Sequence, residues 1–290
     1  MTMRYDAVFF DLYGTLIDIR TDESSDAAWD ALRDALAGYG VAYDDDCGDG
    51  RYGGCDDGCD DGRVDDCTDC ADRNAGLRAR FDAAARPIVD AARAERGEWA
   101  EPDLLPAYAA LLDGGDLDDG HGDGRGDDGR DGANDRAAAA RALAWAFRQG
   151  STSLLRLYPG ALEFLQTLHE AGLRVVLVSN AQTCYTRPEL ERLGLDAALD
   201  RIVISSDEGV RKPGAEIFRR ALAYEGLDAD RVLMVGNDSR CDIGGARSAG
   251  IDGAYLRTEI SPADDPAVCE SAVLSLAGAD YAGILRFLNL

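Results

Sequence analysis

Lysine is almost missing from this chain: Lys212 is the only one among 290 residues, against 29 arginines. Histidine is nearly as scarce. His121 and His169 stand alone and lie far from the other polar motifs, so histidine is a poor candidate for proton transfer here. Positive charge is short in general, with 30 basic residues facing 55 acidic ones for a formal charge of −25. A field of that sign repels phosphate backbones and anionic headgroups, which argues against nucleic-acid and membrane partners. No apolar run reaches the roughly 18 residues that a membrane helix needs. The N-terminus is not a basic-then-apolar leader, so the expected setting is soluble and cytoplasmic. What is present suffices for a core: 46% of the residues are hydrophobic, and the length allows one or two domains.

The acidic excess is mostly aspartate, 42 Asp against 13 Glu. Short carboxylates with almost no lysine resemble the compositions of salt-accumulating halophiles, whose high ionic strength screens self-repulsion. Five of the eight cysteines, Cys47, Cys55, Cys59, Cys67 and Cys70, crowd into one Asp/Gly tract. Cys67-x-x-Cys70 has a zinc-like spacing, but a loose set of reduced thiols in a flexible loop is the preferred reading. Disulfides do not suit a reducing compartment. Cys184, Cys241 and Cys269 are scattered and read as small core or surface residues.

Along the chain, Tyr5–Phe10 is a short apolar run that breaks at Asp11-Leu12-Tyr13-Gly14, the pattern of a buried strand entering a tight turn. The same grammar returns at 174–180, 201–205, 231–237 and 253–257. Helical patterns lie between, at Ala161–Ala171, Thr186–Leu193, Ala215–Glu225 and Ile243–Ala249. This alternation predicts an α/β fold, a doubly wound parallel sheet covered on both faces. Residues 21–150 lack it and carry helical patterns at Ser25–Tyr39, Ala75–Arg96, Leu104–Leu112 and Asp135–Phe147, which predicts an inserted helical domain. Two Asp/Gly-rich tracts, 44–72 and 113–135, are expected to be flexible, since they hold little apolar surface to bury. The second lacks the twelve-residue loop of a calcium-binding EF-hand.

Ligands of such sheets bind beyond the carboxyl ends of the strands, which singles out Asp11, Ser179, Ser205, Asn237 and Asp238, with Asn180, Lys212 and Asp242 close behind. Asp11 at a strand end can act as a nucleophile toward phosphorus or carbon. Gly14 permits a sharp turn whose amides face the crevice, with Thr15 beside it. Ser179 and Asn180 offer a hydroxyl and an amide. Asp238 and Asp242, four apart at a helix start, share a face. Lys212 stands out because a site indifferent to Lys or Arg would hold Arg in this chain; a compact ammonium is what the position selects.

These stretches, FFDLYGTL, VVLVSN, RKPGAEIF and VGNDSRCDIGGARSAG, together resemble the haloacid dehalogenase-like hydrolase superfamily. The resemblance covers residues 1–20 and 151–290, and 21–150 resembles the cap inserted in many members. It implies Asp11 as nucleophile, Ser179 as substrate donor and Lys212 as neutralising cation. It further implies Mg²⁺ arranged by Asp11, the Tyr13 backbone carbonyl, Asp238 and Asp242, with Asn180 contacting substrate or fixing its loop. The implied reaction is Mg²⁺-dependent hydrolysis of a small phosphate monoester through an aspartyl-phosphate. Oligomeric state is left open.

Two features depart from that pattern. Phosphatases of this superfamily normally carry Asp two residues after the nucleophile, as proton donor to the leaving group. Here Tyr13 stands in a DxYGTL run that resembles the metal-free 2-haloacid dehalogenases. The fourth motif points back to a phosphatase, because Asp238 adds a carboxylate that a metal-free site would leave uncompensated. Asp18 is the candidate substitute acid. A weakly catalytic binding scaffold is the third reading, since fold and function are separable.

Overall fold

The computed structural model describes residues 4–43, 74–113 and 131–290, the side chains of 131–133 excepted. Its contacts divide the chain into two compact units. One comprises Met1–Asp22, Ala85–Pro106 and Thr152–Leu290; the other comprises Glu23–Ala84 and Ala107–Ser151.

The first unit is built on strands β1 (Ala7–Phe10), β4 (Arg174–Ser179), β5 (Arg201–Ile204), β6 (Val232–Gly236), β7 (Asp252–Arg257) and β8 (Leu274–Ala277). They form one parallel sheet in the order β5-β4-β1-β6-β7-β8. Because side chains alternate across a strand, the central strands must be apolar on both faces. Val8 and Phe10 of β1, with Val175 and Leu177 of β4 and Leu233 and Val235 of β6, enter one core layer. Ala7, Phe9, Val176, Val178, Val232 and Met234 enter the other. Phe9 and Phe10 are fully buried, and each such side chain contributes about 1.5–3 kcal/mol of transfer free energy.

The helices in chain order are α1 (Asp26–Ala37), α2 (Ala75–Arg96), α3 (Leu105–Leu111), α4 (Asp131–Ser151), α5 (Ala161–Glu170), α6 (Thr183–Leu193), α7 (Ser205–Glu208), α8 (Ala215–Glu225), α9 (Gly245–Ser248) and α10 (Tyr281–Leu288). Phe164, Leu165 and Leu168 of α5 and Ile284 of α10 seal the first layer; Ile217, Phe218 and Ala221 of α8 seal the second. The predicted α/β sheet, helix-covered on both faces, is what the chain forms. β1 lies between β4 and β6, where the strand order reverses, so the residue after β1 sits at the topological switch point.

The second unit is helical. Ser25 caps α1 by accepting a hydrogen bond from the Ala28 amide, and Trp29, Phe81, Tyr108 and Phe147 pack ring on ring with centroids 4.8–6.2 Å apart.

Several expectations are corrected. Residues 85–106, read as part of the 21–150 insert, make their contacts with the sheet unit; nothing in their Ala/Arg-rich pattern separates them from the insert. Helix α4 begins at Asp131, inside the second acidic tract. The predicted helix 243–249 is a π-helical stretch, Ser239–Gly244, followed by α9. A two-stranded antiparallel sheet, β2 (Ile17–Thr21) with β3 (Thr152–Leu157), was not expected, nor were β8 and α10. The cysteine cluster Cys47–Cys70 and His121 lie outside the described residues. Among the described residues no helix is long and apolar enough to cross a membrane.

Candidate active site

β1 ends at Phe10, and Asp11 follows with its backbone N–H still donating to Val235 O of β6 at 2.9 Å, so the sheet aims the carboxylate at the switch point. The chain then folds back: Gly14 takes φ +88° and its N–H donates to Ile17 O at 2.7 Å. That corrects the expectation of a Gly14 amide facing the crevice. What Gly14 provides is room, since a Cβ there would lie 2.0 Å from a terminal amide atom of Asn237. Gly14→Ala is expected to lose about 2–4 kcal/mol of stability in urea unfolding, from positive-φ strain plus displacement of Asn237. An unchanged midpoint would show that the turn is not as tight as it stands here.

The centre of the site is a buried ionic triad. Lys212 Nζ donates to Asp11 Oδ1 at 2.6 Å and to Asp242 Oδ1 at 2.7 Å, and its side chain is 1% exposed. Burial would lower the ammonium, but Asp11 and Asp242 outweigh it and hold Lys212 above the ordinary lysine range. Burial pushes the Asp242 carboxyl up, to about 7, with Lys212 opposing and Asp11 adding. These tendencies conflict at Asp242, and the 2.7 Å contact with Lys212 decides for the ionised carboxylate. Gly236 makes the contact sterically possible, because a Cβ there would lie 2.3 Å from Asp242 Cγ.

Asn180 has a positioning role. Its Oδ1 accepts from the Lys212 backbone N–H at 2.8 Å and its Nδ2 donates to the Lys212 carbonyl at 2.9 Å. Both of its amide atoms are thus bonded to the Lys212 backbone. Ser179, at the end of β4, is fully buried and its hydroxyl has no hydrogen-bond partner among the described residues, which leaves it open to a ligand oxygen. Thr15 is buried too, with Oγ1 3.4 Å from Asp11 Oδ2.

The expected carboxylate pair is split. Asp242 turns inward to Lys212, and its Oδ2 accepts from the Asp238 N–H at 2.9 Å. Asp238 Oδ1 instead caps the following helical turn, accepting from the amides of Arg240 and Cys241 at 2.8 and 2.6 Å. Among the described residues no group of three or more His, Cys, Asp or Glu side chains is placed to hold a metal ion. Cys241 beside it is no nucleophile: burial, with Asp238, pushes its thiol up to about 12. Asp18 is not a free acid either, since Arg156 grips its Oδ2 through Nε and Nη2 at 2.9 and 2.7 Å from directly across the β2–β3 pair.

Asn237, singled out as a strand-end residue, joins the site, and Glu189 was not anticipated. Asn237 is buried, and with Nδ2 turned toward them it donates to Tyr13 O at 3.0 Å and Asp11 Oδ2 at 3.2 Å. Glu189 of α6, 0% exposed, accepts from the Tyr13 hydroxyl at 2.5 Å. Glu189 reads in sequence as one charge of a solvated helix.

A family model for haloacid dehalogenase-like hydrolases matches residues 5–250. The glyceraldehyde 3-phosphate phosphatase of Methanothermobacter thermautotrophicus is 35% identical over 112 residues, 39% of this chain and 50% of that protein. The ribulose-1,5-bisphosphate 5-phosphatase of Halopiger xanaduensis is 31% identical over 137 residues, 47% of this chain and 56% of that one. The chain thus spans about half the length of the curated relatives it matches. Among solved structures, the 2-haloacid dehalogenase of Pseudomonas syringae pv. Tomato shares the fold at 18% identity with a TM-score of 0.56, over 98% of each chain. A predicted phosphoglycolate phosphatase from Haemophilus somnus does so at 17% identity and 0.52, over 99% of each.

Proposed function

The chain belongs to the haloacid dehalogenase-like hydrolase family, and from that premise we propose that it hydrolyses a small phosphate monoester through an aspartyl-phosphate on Asp11. The observation that carries the reading is the triad at the switch point: a nucleophilic carboxylate with a buried ammonium as counter-ion, beside a hydroxyl left without a partner. Asp11 attacks phosphorus as the bond to the leaving oxygen breaks, and that oxygen takes its proton from water. A second water then attacks the acyl phosphate, releasing phosphate and restoring the carboxylate. Lys212 offsets the negative charge that gathers at Asp11, and Ser179 donates to a phosphoryl oxygen. The phosphatase activities named for the two relatives support this substrate class.

The chemistry of the donors fits Mg²⁺, in a set other than the one expected. Asp11 Oδ2, the Tyr13 carbonyl and one Asn237 amide atom converge, at 3.0 and 3.2 Å from that atom. With Nδ2 in place, Asn237 bonds both oxygens; with Oδ1 in place, the three oxygens need a hard cation to reconcile them. Asp11, Tyr13 and Asn237 would hold the ion, while Asp238 and Asp242 are committed elsewhere. When bound, it neutralises charge on the phosphoryl oxygens.

The second reading, halide displacement from a 2-haloacid without metal, rests on Tyr13. Both are tested by phosphate release from p-nitrophenyl phosphate in concentrated KCl, with Mg²⁺ and then with excess EDTA, beside halide release from 2-chloropropionate. Phosphate release lost in EDTA is the expected result. Halide release indifferent to EDTA would overturn it. A cytoplasmic, salt-adapted setting belongs to the same proposal, and a requirement for molar KCl would support it.

A further inference from the structure

Tyr13 is fastened at both ends. Its carbonyl meets Asn237, and its hydroxyl enters α6, 2.5 Å from Glu189 Oε2 and 3.1 Å from Thr186 Oγ1. Thr186 donates its own proton to the Gln182 carbonyl at 3.1 Å, so toward Tyr13 it is an acceptor. The phenolic proton therefore has two acceptors on α6, one of them a carboxylate, and charge-assisted bonds of this kind are the stronger ones. Thr186 and Glu189 are both 0% exposed.

A carboxylate in this position is not explained by stability. Replacing a buried charge network with apolar side chains of similar volume is often neutral or stabilising, so packing alone does not select Glu at 189. What Glu189 does reach is the residue two positions after the nucleophile, in the turn that also holds Gly14 at φ +88°. We infer that Glu189 is a positioning residue for Asp11, acting through Tyr13. By holding the hydroxyl in α6 it keeps the Asp11–Gly14 turn in one conformation and turns the Tyr13 proton away from the reacting atoms. The leaving group is thus protonated by solvent, and α6 contributes alignment instead of acid. This rests on the hydrolytic reading of Asp11 given above and adds to it a residue the motifs do not include.

The test is a double-mutant cycle on p-nitrophenyl phosphate hydrolysis with Tyr13→Phe, Glu189→Ala and the pair combined, plus Glu189→Gln. Each single variant is expected to lower kcat about tenfold with KM within about twofold, and the combined variant should be no slower than either single one, because both act through one contact. Glu189→Gln retains an acceptor oxygen and should recover to within about threefold of wild type, whereas a merely structural role would show in thermal midpoint and not in this pattern. Losses that multiply, a rise in KM matching the fall in kcat, or a Gln variant no better than Ala would each overturn the inference. Should Glu189→Ala not fold, Tyr13→Phe and Glu189→Gln still decide it: unchanged kcat in Tyr13→Phe overturns it. A wild type that releases halide and no phosphate fails the phosphatase reading alone, and the same variants are then compared on halide release.

Discussion

Asp11→Asn is expected to abolish hydrolysis, lowering kcat by at least about 10³-fold while leaving the protein folded, since removal of a covalent nucleophile costs on the order of 10³–10⁶. The substitution is isosteric and touches little else. Asp11 Oδ1 meets Lys212, Oδ2 lies near Thr15 and the Asn237 amide, which can turn to accept from a new amide, and an amide fits the same volume. The triad of Asp11, Lys212 and Asp242 carries two negative charges and one positive; removing Asp11's charge leaves Lys212 paired with Asp242 alone. A buried net charge is thereby neutralised, so the thermal midpoint should stay level or rise. Steady-state kinetics and a melting curve on the same sample check both parts. A variant that keeps a tenth of the wild-type rate would remove Asp11 from the chemistry and return the chain to the scaffold reading.

Lys212→Arg carries the second largest effect, about 10²-fold or more in kcat, together with lost stability. In a chain with 29 arginines the substitution looks conservative, but the slot is not. Nζ lies 2.6 and 2.7 Å from two carboxylates, Asp11 after β1 and Asp242 in the helical turn after β6, at a position 2% exposed. A planar guanidinium cannot place one donor at that point without driving the rest of the fork into the sheet, and overpacking of this kind costs about 1–3 kcal/mol. Lys212→Met is the complement. It keeps most of the volume, removes the charge and strands two buried carboxylates, at a cost of about 3–5 kcal/mol. Arg should therefore retain more charge balance, and Met the better fit, with neither restoring activity. An Arg variant within threefold of wild type would show that the lone lysine reflects ancestry and not the shape of its slot.

Much of this was legible in the residues. An apolar run closed by Asp11 reads as a buried strand ending in a carboxylate, because a fully covered parallel strand has no polar face to confuse the pattern. The helix read at Ala215–Glu225 begins and ends where α8 does, bounded by Gly214 and Gly226. Lys212 was visible through scarcity alone. The remainder depended on partners distant in sequence. Asp18 looked free until β2 met β3 and brought Arg156 opposite it. Asp238 and Asp242 share a helical spacing, yet the helix begins between them, so one caps it and the other turns to Lys212. Glu189 differs from an ordinary surface glutamate only in being covered, and burial is a tertiary property that periodicity does not encode at a single position.

The double hydrogen bond from Asn180 to the backbone of Lys212 has a bearing on how this architecture tolerates change. The position of the ammonium is thereby referenced to the end of β4. Residues 205–211 have tethers of their own, the Glu101 N–H donating to Gly209 O at 3.1 Å and the Arg211 N–H to Trp99 O at 2.9 Å. A one-residue slip of β4 would carry Asn180, and with it the charge at Asp11, out of place. The register of β4 is therefore where such a protein has least freedom.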